Sequence, residues 1–371
     1  MPRILVAPLN WGLGHATRCL PIAAALRAAG AEVHWASDGA ARALLRREEP
    51  GAPVHELPGL DVRYPTASAL LNVLLAAPGL LRSWRADARA LAELHARVGF
   101  DAVVSDNRLG ARLPGVPSAI VTHQVHLPVR GPAGWVGQAL NTRLLRRFGS
   151  VVVPDYAGPT EVRLAGPMSA PLDGQRMSYI GPVSRFRRPA TVPGGGYRVL
   201  VVLSGPEPMR TRLEQAVLRE LLGADFGGGQ AGYCLVRGLP GAGARAEAPE
   251  VAQARAAGMR VVDFLGAAPL AAAMASAQSL VVRPGYTTVM DLAALGRRAV
   301  FVPTPGQPEQ AWLARALAVS GRGVAVAQSG LVLAKALTAL AALEPPPEWD
   351  QHPGSTNALA RWAASFVSEL R

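Results

Sequence analysis

Cysteine is scarce in this chain. Cys19 and Cys234 stand alone among 371 residues, far apart and without the spacing of a metal site. That excludes a disulfide framework and a zinc knuckle, and predicts two buried, reduced thiols in a cytoplasmic protein. Aromatic residues are few, at 5%, and never interleave with basic ones as a base-stacking platform requires, so nucleic acid is not an expected partner. No apolar run reaches the ~18 residues of a membrane span. The nearest, Leu70 to Leu81, carries Asn72, Pro78 and Gly79, and suits at most a membrane surface or the wall of a groove. The amino terminus lacks a basic leader and a cleavage site. No two of the eleven aspartates are separated by a single residue, so an Asp-x-Asp pair is missing and no metal or other cofactor is expected.

Half of the residues are hydrophobic and 17% are charged. Such a chain folds compactly, and its length suits two domains that each bury a core. The formal charge is +12, carried mainly by arginines scattered as Arg46-Arg47, Arg146-Arg147, Arg187-Arg188 and Arg297-Arg298, with no block of five like charges. This pattern suits a solvated surface and equally the attraction of an anion, either nucleotide phosphates or an acidic membrane.

Short apolar runs at Arg3 to Pro8, Glu32 to Ala36, Val54 to Leu57, Ala102 to Ser105, Ala119 to Thr122 and Val151 to Pro154 read as buried strands. Helical spacing lies between several of them, at Ala16 to Ala29, Gly39 to Arg47 and Leu81 to Arg97. The alternation predicts a parallel, doubly wound sheet. From Arg185 to Gly196 charge, proline and a glycine triplet give linker composition. The rhythm then restarts, with strands at Tyr197, Tyr233, Met259, Ser279, Ala299 and Gly323 and helices at Met209, Pro269, Thr287, Pro308 and Val332. The expected organisation is a first Rossmann-like domain over 1–184, a linker over 185–196, a second such domain over 197–345, and a final helix within 346–371 that returns to the first domain. Ligands in such sheets bind beyond the carboxyl ends of the strands, so two facing domains would make a cleft.

Two stretches have the composition of a site. Asn10-Trp11-Gly12-Leu13-Gly14-His15-Ala16-Thr17-Arg18 follows the first strand and opens a helix. It fails as a dinucleotide loop, because Thr17 stands where the third glycine belongs, and as a P-loop, because no Gly-Lys-Ser/Thr follows. His15 sits in the first helical turn, where the dipole favours its neutral form, and a neutral imidazole can act as a base. The plainer alternative is a histidine that only packs or caps. Asp106, Asn107, Arg108 and His123 follow later strands and are expected at the same edge, with a purely structural pairing of Asp106 to Arg108 as the alternative. The second stretch is Arg283-Pro284-Gly285-Tyr286-Thr287-Thr288-Val289-Met290-Asp291, followed by Pro303-Thr304-Pro305-Gly306-Gln307-Pro308-Glu309-Gln310. A glycine turn and hydroxyls opening a helix suit phosphates, Asp291 suits ribose hydroxyls, and Gln307 and Gln310 suit sugar hydroxyls.

The Arg-x-Gly-x-x-Thr-x-x-Asp pattern with its glutamine-bearing loop resembles the carboxyl-terminal domain of family 28 glycosyltransferases, of the lipid-I N-acetylglucosaminyltransferase type. The resemblance implies the GT-B fold, an α/β pair of Rossmann-like domains with a nucleotide-sugar donor, UDP-linked, on the second. It places Gly285, Tyr286, Thr287 and Thr288 on the phosphate-facing turn, Asp291 on the ribose and Gln310 on the donor sugar. It also places Phe264 and Leu265 by the base, and Ser204 and Gly205 on the first donor loop. Here Asp291 replaces the family's glutamate, Pro284 its serine, and the Ser204 loop carries two prolines. Gly12-Leu13-Gly14-His15 is similar to the family's glycine-rich acceptor loop, and with Arg18-Cys19 it also resembles a UDP-sugar hydrolase of pseudaminate synthesis. Ser105-Asp106-Asn107-Arg108 and Thr122-His123-Gln124 resemble a group of bacterial glycosyltransferases without assigned substrates. The implied activity is metal-independent, inverting glycosyl transfer to a lipid-linked or glycan acceptor, with His15 as base, Arg283 helping to neutralise the leaving diphosphate, and peripheral contact at the inner membrane left open. Hydrolysis of the nucleotide-sugar by water activated at His15 is the alternative.

Overall fold

The computed structural model describes residues 1–59, 69–129, 131–187, 196–205, 207–223, 232–239, 248–344, 349 and 357–371, with the side chains of 69–78, 132 and 133 outside that description. The proline run at 345–347, most of the linker and the apolar side chains at 70–78 therefore lie outside the described residues. The chain divides into two compact units, Met1–Arg185 with Gln351–Arg371, and Phe186–Asp350.

The first unit holds strands β1 (Arg3–Pro8), β2 (Glu32–Ser37), β3 (Val54–Glu56), β4 (Ala102–Asp106), β5 (Ser118–Val121), β6 (Ser150–Val153) and β7 (Met177–Tyr179). Its helices are α1 (Gly14–Ala28), α2 (Gly39–Glu48), α3 (Ala69–Val98) and α4 (Pro132–Leu145). The sheet order is β3-β2-β1-β4-β5-β6-β7, with every pair parallel. Ile4, Leu5, Val6, Val103, Val104, Ile120 and Val151 are fully buried, as strands covered on both faces must be.

The second unit repeats the plan with β8 (Val199–Val202), α5 (Met209–Gly223), β9 (Tyr233–Val236), α6 (Pro249–Ala256), β10 (Arg260–Val262), α7 (Ala267–Ser276), β11 (Ser279–Val282), α8 (Tyr286–Leu295), β12 (Ala299–Phe301), α9 (Pro308–Val319), β13 (Gly323–Ala325) and α10 (Leu333–Ala341). Its parallel order is β10-β9-β8-β11-β12-β13. The last helix, α11 (Ala358–Ser368), belongs to the first unit, where Glu369 pairs with Arg176 and Arg371 donates to Ala29 O at 3.4 Å. Among the described residues no helix is long and apolar enough to cross a membrane.

The doubly wound architecture matches the sequence expectation, with four differences. α3 begins at Ala69 and runs through Pro78-Gly79 rather than starting at Leu81. α4, α6 and β7 carry no clear sequence signal. Gly134 and Gly137 weaken the helical reading of α4, each at a cost of about 1 kcal/mol relative to alanine. Gly134 is nonetheless required, since a Cβ there would lie 2.3 Å from Val129 O. α6 is eight residues long, and β7 is a three-residue edge strand.

Candidate active site

In the first sheet the strand order reverses between β1 and β4, and Pro8 at the end of β1 lies beside Asp106 at the end of β4. Doubly wound sheets place ligands at such a point. The opening loop leaves β1 here, with Leu9 N–H donating to Asp106 O at 3.0 Å. Gly12 turns it at φ +76, a conformation that a side chain would strain, and the space where its Cβ would stand is open. Gly14 and His15 then begin α1.

Asp106 is completely buried and is the centre of the cluster. His15 Nδ1 lies 2.7 Å from its Oδ1, Arg18 Nε donates to its Oδ2 and Arg18 Nη2 to its Oδ1, and Cys19 Sγ donates to Oδ2 at 3.3 Å. Burial alone would raise the carboxyl pKa, but Arg18 and His15 overcome it and hold the group well below the carboxylate range. His15 is pushed below its ordinary value of 6.5, first by burial and then by Arg18, with Asp106 opposing and His123 adding to the fall. The imidazole is neutral at pH 7. In the tautomer whose Nδ1–H bonds Asp106, Nε2 carries a lone pair; in the other, Nδ1 accepts from Arg18 at 2.8 Å and Nε2–H is a donor.

The alternative pairing of Asp106 with Arg108 is not formed. Asn107 takes the left-handed conformation at φ 51, so the strand's alternation ends there and Arg108 turns to a second group of acids. Its guanidinium bonds Asp87 of α3 at 2.9 and 2.8 Å and Asp38 at 2.8 Å, and also reaches Pro58 O. Gly110 permits this, because a Cβ there would stand 2.5 Å from Trp84 O and hold α3 away. Asp38 also accepts from Asn10 Nδ2 at 2.7 Å, and Asn10 Oδ1 receives Ala41 N–H at 3.2 Å, so the opening loop caps α2. His123 follows β5, is buried, and acts electrostatically on His15.

In the second unit the order reverses between β8 and β11. After β8, Ser204 and Gly205 are exposed. The start of α5 is occupied by a carboxylate: Glu207 accepts from Thr211 N at 3.2 Å, Thr211 Oγ1 at 2.8 Å and Arg210 Nε at 2.7 Å. After β11, α8 starts from Gly285 with no side-chain cap and no acid in its first turn. Thr287, Thr288 and Asp291 are each partly exposed, and the three-to-four-residue spacing puts them on one helix face; Tyr286 is buried. Phe264 and Leu265 are half-buried after β10, where Asp263 pairs with Arg237 at 2.8 Å. Gln307 caps the start of α9 by position, while Gln310 folds back so that its Oε1 receives Thr304 N–H at 2.8 Å.

Arg283, expected to help neutralise the leaving diphosphate, is buried, with its side chain 1% exposed. Nη1 donates to Val302 O at 2.9 Å, and Nη2 to Met209 O at 2.9 Å and Gln328 Oε1 at 2.7 Å. It braces the start of α5 and the loops after β12 and β13. None of those three partners is acidic, and burial pushes its pKa down to about 10. Among the described residues no group of three or more His, Cys, Asp or Glu could hold a metal ion.

Residues 242–361 match the glycosyltransferase family 28 C-terminal domain. The chain is 27% identical over 314 residues to an uncharacterized glycosyltransferase of Methanopyrus kandleri, covering 81% of this chain and 85% of that protein. It is 29% identical over 323 residues to a UDP-N-acetylglucosamine–N-acetylmuramyl-(pentapeptide) pyrophosphoryl-undecaprenol N-acetylglucosamine transferase of Alcanivorax borkumensis, covering 84% and 81%. The glycotransferase of kitacinnamycin has a similar fold, with a TM-score of 0.64, 17% identity, and coverage of 100% and 99%. This is a family 28-like GT-B glycosyltransferase. Its donor is a nucleotide-sugar.

Several residues of the glycosyltransferase's two edges had no functional reading in the sequence. Arg18 carries a signal only as part of a motif, and Asp38 at the end of β2 carries none of its own. Asp87 sits mid-helix, and Glu207 between two prolines. One signal was available: an arginine three residues after His15 lies on the same face of the helix.

Proposed function

We propose that this glycosyltransferase moves a sugar from a UDP-linked donor to a lipid-linked acceptor, with inversion and without a metal. The observation that carries the reading is the His15–Asp106 contact at 2.7 Å, within a cluster that keeps the imidazole neutral. With Nδ1–H bonded to Asp106, Nε2 takes the proton of the acceptor hydroxyl as its oxygen bonds the anomeric carbon. The bond from that carbon to the phosphate oxygen breaks, and UDP leaves with the electron pair.

The glycine-led start of α8, with no acid in its first turn, suits the diphosphate, since a helix amino terminus attracts negative charge, and the buried Arg283 charge adds to that field. The start of α5 is less suited, because the Glu207 carboxylate already uses it. Asp291 is proposed on the ribose hydroxyls, Gln307 and the amide end of Gln310 on the sugar, and Phe264 and Leu265 by the base. A UDP donor and a lipid-linked acceptor are supported by the name of the Alcanivorax relative.

The test is a thermal-shift screen of UDP-, TDP- and GDP-sugars followed by UDP-release assays with and without a polyprenyl-linked acceptor. The expected result is stabilisation by one UDP-sugar, with release that needs the acceptor and is lost in His15→Ala. A chain stabilised by no nucleotide-sugar, or one whose turnover survives His15→Ala, overturns the reading.

A further inference from the structure

His15, Arg18 and Cys19 lie at positions i, i+3 and i+4 of α1, so one face of its first turns carries all three, and that face meets the end of β4. Asp106 there receives the fork of Arg18 from Nε and Nη2, His15 Nδ1 at 2.7 Å and Cys19 Sγ at 3.3 Å. An ionised carboxylate has about four acceptor positions, so this one is filled and held in one orientation. It carries no hydrogen of its own. The 2.7 Å contact therefore places the histidine's proton on Nδ1 and leaves Nε2 as the atom that takes another.

The guanidinium does more than fill the carboxylate. Arg18 Nη2 stands 2.8 Å from His15 Nδ1, and Arg18 is only 2% exposed. A proton arriving at Nε2 puts a second positive charge beside the first, where little water screens the two. Of the titratable groups around the imidazole, Arg18 and Cys19 come from its own helix, Asp106 from β4 and His123 from the loop after β5. Among these only Asp106 draws a proton to the ring, and Arg18 and His123 oppose it.

We propose that Arg18 is a positioning residue for the transfer, which holds Asp106 against His15 and keeps the imidazole free of a second proton in mild acid. A carboxylate and an imidazole alone form an ion pair as pH falls, and a base already protonated takes no proton from the acceptor hydroxyl. The arginine postpones that pairing and so extends the working range of the base downward. The proposal rests on His15 as the base.

The experiment measures kcat/KM against pH for the wild type, Arg18→Gln and Arg18→Lys, beside the UDP-sugar thermal shift. A histidine-ring NMR titration of the full chain accompanies it, with His15→Gln to assign the signal. Arg18→Gln should move the acid midpoint and the ring titration up by about 1 pH unit or more. Arg18→Lys keeps the charge but not the fork, so kcat should fall while the midpoint stays. Both variants should keep the donor shift. A midpoint unmoved in Arg18→Gln overturns the proposal, because an arginine that only packs would lower the rate without moving the limb. If Arg18→Gln does not fold, the wild-type ring decides: His15 half-protonated at or above its ordinary 6.5 overturns the proposal as well. An unmoved midpoint in an enzyme that still loses turnover in His15→Ala sinks this proposal and leaves the base standing, whereas turnover that survives His15→Ala sinks both.

Discussion

At the β1/β4 edge Asp106 is met by His15, Arg18 and Cys19, and Arg108 by Asp38 and Asp87; at the β8/β11 edge Arg283 is buried against two carbonyls and an amide, and α8 starts uncapped. The same topology thus carries opposite electrostatics. The first edge pairs its arginines with its own carboxylates, so what it offers an incoming molecule is a neutral imidazole held against Asp106. At the second, the described hydrogen-bond partners of the buried Arg283 include no acid, and a buried charge is felt strongly because little water screens it. On the proposed reading, proton chemistry belongs to the first edge and diphosphate binding to the second.

The division can be broken by asking which kinetic constant each edge controls. His15→Ala should lower kcat by about 10²–10⁴-fold, the range for a general base, and leave the donor-induced thermal shift intact. Asp106→Asn should reduce kcat as well and also lower stability by about 3–5 kcal/mol, because Arg18 is left as an uncompensated buried charge. Chemical denaturation beside the rate assay separates the two effects. Asp291→Ala should do the reverse of His15→Ala, weakening the donor by about 1–3 kcal/mol in KM with kcat little changed. If Asp291→Ala and His15→Ala move the same constant, the edges do not divide the work as drawn.

Much of this was legible in the sequence, for physical reasons that also mark where legibility ended. Strand runs buried on both faces are continuous and apolar, so ten of the thirteen strands can be read to within one residue at each end. The exceptions are β7, which has no signal, and β8 and β13, whose runs extend past the paired residues. Glycine turns at strand ends flagged the opening loop and the Gly285 loop. Partnership was not legible. Nothing local says that Asn107 turns left-handed and sends Arg108 to Asp38 and Asp87 rather than to Asp106. Nor does the motif Arg-x-Gly say that Arg283 points inward, since that depends on carbonyls contributed by Met209 and Val302, far away in the chain. α4 was hidden by its glycines and revealed by what packs against it.

The pH dependence sharpens the comparison on its acid side. His15 and Asp106 both have lowered pKa values in the folded chain. A lowered histidine resists protonation, so stability is lost as pH falls through its unfolded value near 6.5; a lowered aspartate adds a further loss as pH falls below its unfolded value of about 3.9. The rate should follow the histidine alone: kcat/KM level above neutrality and falling on the acid side at a pH below 6.5. Donor binding measured by thermal shift should not follow that limb if the second edge acts independently.

The smallest effect tests whether the first edge is one network or two. Asn10 Oδ1 receives Ala41 N–H and Asn10 Nδ2 donates to Asp38, which in turn pairs with Arg108. Asn10→Ala removes a helix cap, so it should cost about 0.5–2 kcal/mol of stability, measured by denaturant unfolding. Asp106 takes no bond from that chain of contacts, because Asn107 separates the two groups. The acid limb of the rate profile should therefore keep its midpoint in Asn10→Ala. A midpoint that moves would mean that Asp38 and Arg108 act on His15 through the strand end, and that the cap and the base belong to a single electrostatic unit.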